Sequence, residues 1–120
     1  KYGLQHGHAV ALTLGKFFIL NNPRDNINIA DKRGYQFLGR TMKSLFKILG
    51  VKSSKEASDY WYKLMRKTGL ESNITKACSL TKKDLLGIIK SIDQLRLKNN
   101  PVKVTNRDLM GVLWDKQSNE

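Results

Sequence analysis

The chain has 120 residues, and 22 Lys or Arg residues against 10 Asp or Glu residues give it a formal net charge of +12. This length predicts one domain over residues 1–120, and a hydrophobic fraction of 40% excludes wholesale disorder because it supplies enough apolar side chains for a core. The longest apolar stretch, residues 9–20, is shorter than the roughly 20 residues that cross a bilayer, which excludes a membrane span and favours a soluble, cytoplasmic protein.

The first predicted helix covers about residues 4–20 and is apolar on nearly every side, a pattern typical of a helix at the centre of a domain. Asn21, Asn22 and Pro23 end it, because proline cannot continue a helix. We expect this helix to be the most buried element. Since the apolar pattern has already begun at Leu4 and the first residue is not methionine, we also expect the chain to be part of a longer protein.

Two amphipathic helices are predicted next, over about residues 31–49 and from Ser53 or Ser54 to about Gly69, with Gly50 as the stop between them. Their apolar residues recur three and four positions apart, as the face of a helix requires. They are Tyr35, Leu38, Met42, Leu45, Phe46 and Leu49 in the first, and Ala57, Tyr60, Trp61, Leu64 and Met65 in the second.

The last two predicted helices share a capping pattern in which a threonine precedes an aspartate by three residues: Thr81 before Asp84, and Thr105 before Asp108. Residues 96–104 lie between these helices, contain a turn-forming Asn-Asn-Pro sequence and are predicted to form a loop. No segment alternates apolar and polar residues cleanly at a period of two. The sequence therefore predicts an all-α bundle of about five helices.

The candidate metal ligands are the two histidines, His6 and His8. Residues two apart on a helix point about 200° apart, so the pair cannot chelate one metal ion from one helix face. One histidine could be a ligand with partners from elsewhere, or it could simply be satisfied by backbone groups at a helix start. The spacing alone favours the second interpretation. Cys78 has no histidine nearby in the sequence and is predicted to be a partly buried thiol in a polar loop.

The positive charge raises the alternative that the chain is a basic, all-helical module that binds nucleic acid or another partner. Basic residues form a stripe on the second helix and extend onto the third: Arg40, Lys43 and Lys47, then Lys63, Arg66 and Lys67. The stripe lacks the Asn and Gln side chains that read base edges, and the charge is spread along the whole chain. We therefore expect salt-sensitive, sequence-independent affinity and no specific nucleic-acid partner.

Two segments resemble the iron-containing (group III) alcohol dehydrogenases. Residues 2–14, YGLQHGHAVALTL, continuing through Phe17, Phe18 and Asn21, are similar to the family's helix that opens on His-Gly-x-Ala and ends near an Asn. Residues 96–105, RLKNNPVKVT, are similar to its terminal Asn-Pro-x-x-x-Thr segment. The two segments lie in the expected order, and the helical pattern between them extends the resemblance over nearly the whole chain.

The resemblance implies an enzyme with an N-terminal α/β domain that binds NAD(P) and a C-terminal helical domain, of which this chain is the last part. It implies a divalent metal ion, Fe²⁺ or Zn²⁺, held in the cleft by an Asp and three His, and it makes His6 the fourth ligand. His8 falls on a variable position. The implied substrate is a small alcohol or aldehyde, and the His-Gly-His sequence is reminiscent of members that reduce phosphonoacetaldehyde-type substrates.

The same resemblance places the other metal ligands and the cofactor loop in family segments that precede Lys1. We therefore expect the chain alone to bind no metal or NAD(P), to be inactive, to lack its nucleotide-binding partner domain and to self-associate. Dehydroquinate synthase, a related fold, has Glu where this chain has His8, which argues against that enzyme.

Overall fold

The computed structural model describes residues 3–23 and 28–114, so Tyr2, the first residue of the first motif, lies outside the described residues. The described part forms seven helices and no strand, with one isolated antiparallel bridge between Ile29 and Val102. The helices are α1 (His6–Leu20), α2 (Gly34–Leu49), α3 (Ser54–Lys67), α4 (Ile74–Cys78), α5 (Lys82–Ser91), α6 (Gln94–Leu97) and α7 (Asn106–Leu113). The all-α prediction is confirmed. No helix in these two ranges has both the length and the apolar character needed to cross a membrane.

Capping residues account for the starts of three predicted helices and for the end of a fourth. Both Thr–Asp pairs form complete capping boxes, at the starts of α5 and α7. The Ser53 hydroxyl oxygen accepts a hydrogen bond from the Glu56 N–H and so caps α3. Gly50 ends α2 with a φ of +72°, a left-handed conformation that glycine adopts without steric cost.

Two short helices, α4 and α6, were not predicted. Asn73 caps α4 by accepting from the Lys76 N–H, and Asp93 caps α6 by accepting from the N–H groups of Leu95 and Arg96. These helices have five and four residues, too few to show an apolar period. Cys78 is therefore the last residue of a helix, and its predicted position in a loop is wrong.

Buried apolar side chains form two clusters. The first core joins α1 to α5 and α7 and contains Leu12, Met65, Ile74, Leu80, Leu85, Ile89, Leu109 and Leu113. The second core joins α1 to α2 and contains Phe18, Leu38, Met42, Phe46, Ala57 and Val102. Trp61 of α3 packs against both clusters, so it connects the two cores.

The contact between α1 and α3 is tight because a glycine faces an aromatic ring. The Trp61 indole N–H donates to the carbonyl oxygen of Ala11 at 2.9 Å, and the Tyr62 hydroxyl donates to that of Leu12 at 2.7 Å. A Cβ atom on Gly15 would lie 2.5 Å from Cε2 of Tyr62. The Tyr62 ring therefore occupies the space that any other residue at position 15 would need.

The expectation that α1 is the most buried element is wrong, because its N-terminal end is exposed. Leu12, Gly15 and Phe18 are buried and lie on one face, whereas Ala9 is exposed and Val10 keeps 49% of its surface accessible. The apolar residues of α1 thus continue past the edge of the core onto the surface.

The tail segment returns to the end of α1. Asn28 accepts a backbone hydrogen bond from Lys103, and the N–H groups of Ala30 and Asp31 donate to the carbonyl oxygen of Pro101. The Asn100 amide donates to the Asn21 side-chain oxygen at 2.8 Å. These bonds hold the tail against the segments that follow α1 and precede α2.

Replacing Gly15 with alanine should destabilise the fold by about 1–3 kcal/mol, because the added methyl group displaces Tyr62 from its hydrogen bond. Urea denaturation measures this change. Gly87→Ala in α5 is the matched control: no atom lies within 4 Å of its Cβ, so helix propensity should stabilise that variant by about 0.5–1 kcal/mol. Equal effects of the two substitutions would contradict the packing argument.

Asp31 should give the stability of the fold a measurable acid dependence. Its carboxylate accepts two hydrogen bonds from the Arg33 guanidinium and one from the Arg33 N–H, which lower its pKa from 3.8 to about 2. A lowered pKa stabilises the folded chain above pH 3.8, and that contribution is lost as the pH falls toward 2. Asp31→Asn should therefore lower stability at neutral pH and leave it unchanged near pH 2, as measured by thermal denaturation. A difference that persists near pH 2 would exclude this ion pair as the cause.

Candidate metal-ligand position and basic surface

The two histidines at the start of α1 have different surroundings. His6 is the first residue of the helix and its side chain is exposed. His8 is half-buried, and its Nε2 lies 2.8 Å from the carbonyl oxygen of Glu71. Because a carbonyl oxygen only accepts hydrogen bonds, His8 Nε2 carries the proton in this contact. The two imidazoles thus have different surroundings, in agreement with the expectation that one helix face does not present both.

The sequence segment that contains His6 has no charged side chains. No Asp, Glu, Lys or Arg occurs from residue 2 to residue 15, although 27% of the chain is charged. Gly7 and Ala9 are exposed, and no atom lies within 4 Å of the position that a Cβ on Gly7 would take. An imidazole at position 6 is therefore accessible to a large partner.

The described residues do not form a complete metal site. No group of three or more His, Cys, Asp or Glu side chains within residues 3–23 and 28–114 could hold a metal ion. His6 can supply one neutral imidazole nitrogen, and a structural or catalytic zinc site needs three or four protein ligands. A metal ion at His6 therefore requires donors from outside the described part of the chain.

Cys78 has the properties of a partly buried thiol. It is half-buried at the end of α4 and packs against the first core. Burial raises its pKa, which favours the thiol over the thiolate. The thiolate is the nucleophilic form, so the structure gives this side chain no activation.

Four of the six residues of the predicted basic stripe line two separate depressions of the surface. Arg40 and Lys43 line a groove beside α2 together with Lys52, and the groove borders the buried face of that helix at Phe46. Lys63 and Arg66 instead line a cavity that also contains the carboxylates of residues 59 and 71. Lys52 was not predicted to be part of a basic surface. The short connection between α2 and α3 could have indicated its position, because four residues keep Lys52 close to α2.

Residues of the two motif segments are in direct contact. Asn21 follows the last residue of α1, Asn100 precedes the tail proline, and their side chains hydrogen bond across 79 positions of sequence. Asn100 also donates to the carbonyl oxygen of Val102 at 2.7 Å. Asn21 and Asn100 each belong to a motif that was recognised in the sequence, but the contact between them was not predicted.

No protein-family model matches this sequence, and neither a curated protein nor a solved structure matches the chain. The candidate site therefore depends on the chain's own residues and contacts.

His8 should anchor the connection between α3 and α4 to α1. Replacing His8 with alanine removes the bond to Glu71, which should cost about 1 kcal/mol or less because the bond is exposed to solvent. We expect faster amide hydrogen exchange in residues 70–73 of the variant. His6→Ala is the control and should leave this exchange unchanged. If both variants exchange alike, the His8 contact does not restrain this connection.

Proposed function

We propose that this chain is the C-terminal helical part of a metal-dependent NAD(P) alcohol dehydrogenase or aldehyde reductase, and that His6 is one of its metal ligands. The observation that carries the proposal is the contrast between the two histidines. His8 is engaged with the Glu71 carbonyl, whereas His6 is exposed at the first position of α1. The histidine available to a metal ion is the one that the family motif assigns.

The hydrogen bond between Asn21 and Asn100 supports the same proposal. Each residue belongs to one of the two segments that resemble the family, and the segments lie at opposite ends of the chain. A direct contact between the two segments would explain why both motifs occur in the same chain. In the proposed enzyme, this contact fixes the end of α1 and so the direction in which the helix presents His6.

The uncharged surface at the start of α1 supports a partner domain on that side. Val10 is 49% exposed, and the neighbouring exposed residues Gly7 and Ala9 are small. Small apolar residues allow another polypeptide to approach a helix closely. The proposed partner is the NAD(P)-binding domain, which would supply the remaining metal ligands. When this partner domain is absent, the uncovered surface is the reason why we expect the isolated chain to self-associate.

In this enzyme the chain would hold one ligand in position while other segments bind the cofactor. The bound metal ion would act as a Lewis acid on the oxygen of the alcohol or aldehyde. Trp61 and Tyr62 hold α1 through hydrogen bonds to its central carbonyl groups, and His8 restrains its first turns. These contacts limit rotation of α1 and thereby keep the His6 imidazole directed out of the helical domain.

Metal content provides the test, measured by mass spectrometry on the longer enzyme that contains this chain. His6→Ala should abolish stoichiometric Fe²⁺ or Zn²⁺, because losing one of four ligands weakens binding strongly. His8→Ala is the matched control and should keep its metal. The thermal stabilisation that added metal gives the unmodified enzyme should be absent only from His6→Ala. Full metal occupancy in His6→Ala would refute the ligand assignment.

The isolated chain should neither oxidise alcohols nor reduce aldehydes with NAD(P), with or without added Fe²⁺ or Zn²⁺. Hydride transfer requires the nicotinamide, the metal ion and the substrate to be held together, and His6 alone cannot position these three components. Steady-state absorbance at the nicotinamide wavelength measures the activity. Turnover by the chain alone would contradict the proposed division between two domains.

A further inference from the structure

A groove beside α2 concentrates positive charge at the opposite end of α1 from His6. Arg40 and Lys43 project into it from α2, and Lys52 lines it from the connection to α3. The groove includes Asn22, which lies just after the end of α1. Because α1 has 15 residues, this end of the groove is about 22 Å from His6. It is therefore separate from the ligand position discussed above.

The three cations have no acidic partner in the described structure. The ion pairs found within residues 3–23 and 28–114 lie elsewhere and join Arg33 to Asp31, Lys55 to Asp59 and Arg96 to Asp93. Every described residue that lines the groove is neutral or basic. Like charges that share one groove repel each other, and an anion that contacts all three would remove that repulsion.

The groove also contains neutral hydrogen-bond donors. The Ser53 oxygen accepts from the Glu56 N–H, which leaves its own O–H free to donate to a ligand. Tyr35 is 39% exposed and adds a phenolic hydroxyl at the rim. The adjoining Glu56 carboxylate accepts from the Lys52 N–H at 2.7 Å and so is occupied at the start of α3.

We propose that this groove binds a small ligand that carries two or more phosphate groups. Its volume of about 530 Å³ is in the range of small-molecule sites, and three cations exceed what one singly charged carboxylate can neutralise. Lys47, the next basic residue of α2, does not line the groove. The charge in this groove is therefore limited to three side chains, which suits a small ligand better than an extended nucleic-acid strand.

Pyrophosphate is the simplest probe, titrated calorimetrically into the full chain at physiological ionic strength. We expect one binding site per chain and weaker binding of inorganic phosphate. The variant Arg40→Gln, Lys43→Gln, Lys52→Gln should lose about tenfold or more in affinity, since charged hydrogen bonds to phosphate are lost. Circular dichroism of this variant should match that of the unmodified chain, because all three side chains are exposed.

The matched control removes the same amount of charge from another helix: Lys82→Gln, Lys83→Gln, Lys90→Gln in α5, whose side chains are also exposed. This control should bind pyrophosphate as the unmodified chain does. Equal losses in both variants, or equal affinity for phosphate and pyrophosphate, would overturn the proposal. So would tighter binding of single-stranded oligonucleotides that increases with their length, because that pattern indicates a nonspecific polyanion surface.

Discussion

Two aromatic side chains of α3 donate hydrogen bonds to consecutive carbonyl oxygens in the middle of α1, and both cores depend on this contact. Each carbonyl has a second lone pair, so it can accept from Trp61 or Tyr62 and still take part in the helix. Gly15 permits the close approach. The Trp61 and Phe18 rings meet in a T-shaped arrangement at a centroid distance of 6.3 Å, and Trp61 packs against both cores. Helix α1 is consequently held by hydrogen bonds on the side where its apolar residues are buried.

Much of this architecture could be predicted from local sequence. The Thr81 and Thr105 capping patterns located two helix starts, because a capping box is completed within four residues and needs no tertiary partner. The short helices α4 and α6 could not be found in this way, since their stability comes from a single Asx cap and from packing. The burial of α1 was overestimated for a related reason. Composition shows that a helix is apolar, but which of its turns are covered depends on the elements that reach it.

The candidate site was predictable to a similar extent. Helical geometry alone indicated that His6 and His8 diverge, and the structure shows them in different surroundings. The partner of His8 is a backbone carbonyl of Glu71, an atom that every residue possesses, so no sequence pattern could identify it. The same holds for Lys52, whose place in the basic groove results from the course of the chain between two helices. The contact between Asn21 and Asn100 links segments 79 positions apart, a distance at which spacing carries no information.

The return of the tail to α1 has a consequence for the order in which the protein can fold during translation. Leu109 and Leu113 complete the first core around Leu12, and Val102 completes the second around Phe18. Each core is therefore incomplete until residues near the end of the described chain are available, so vectorial synthesis leaves part of the apolar face of α1 uncovered until those residues leave the ribosome. A nascent chain of this kind keeps part of α1 exposed while the segments between α1 and the tail are synthesised.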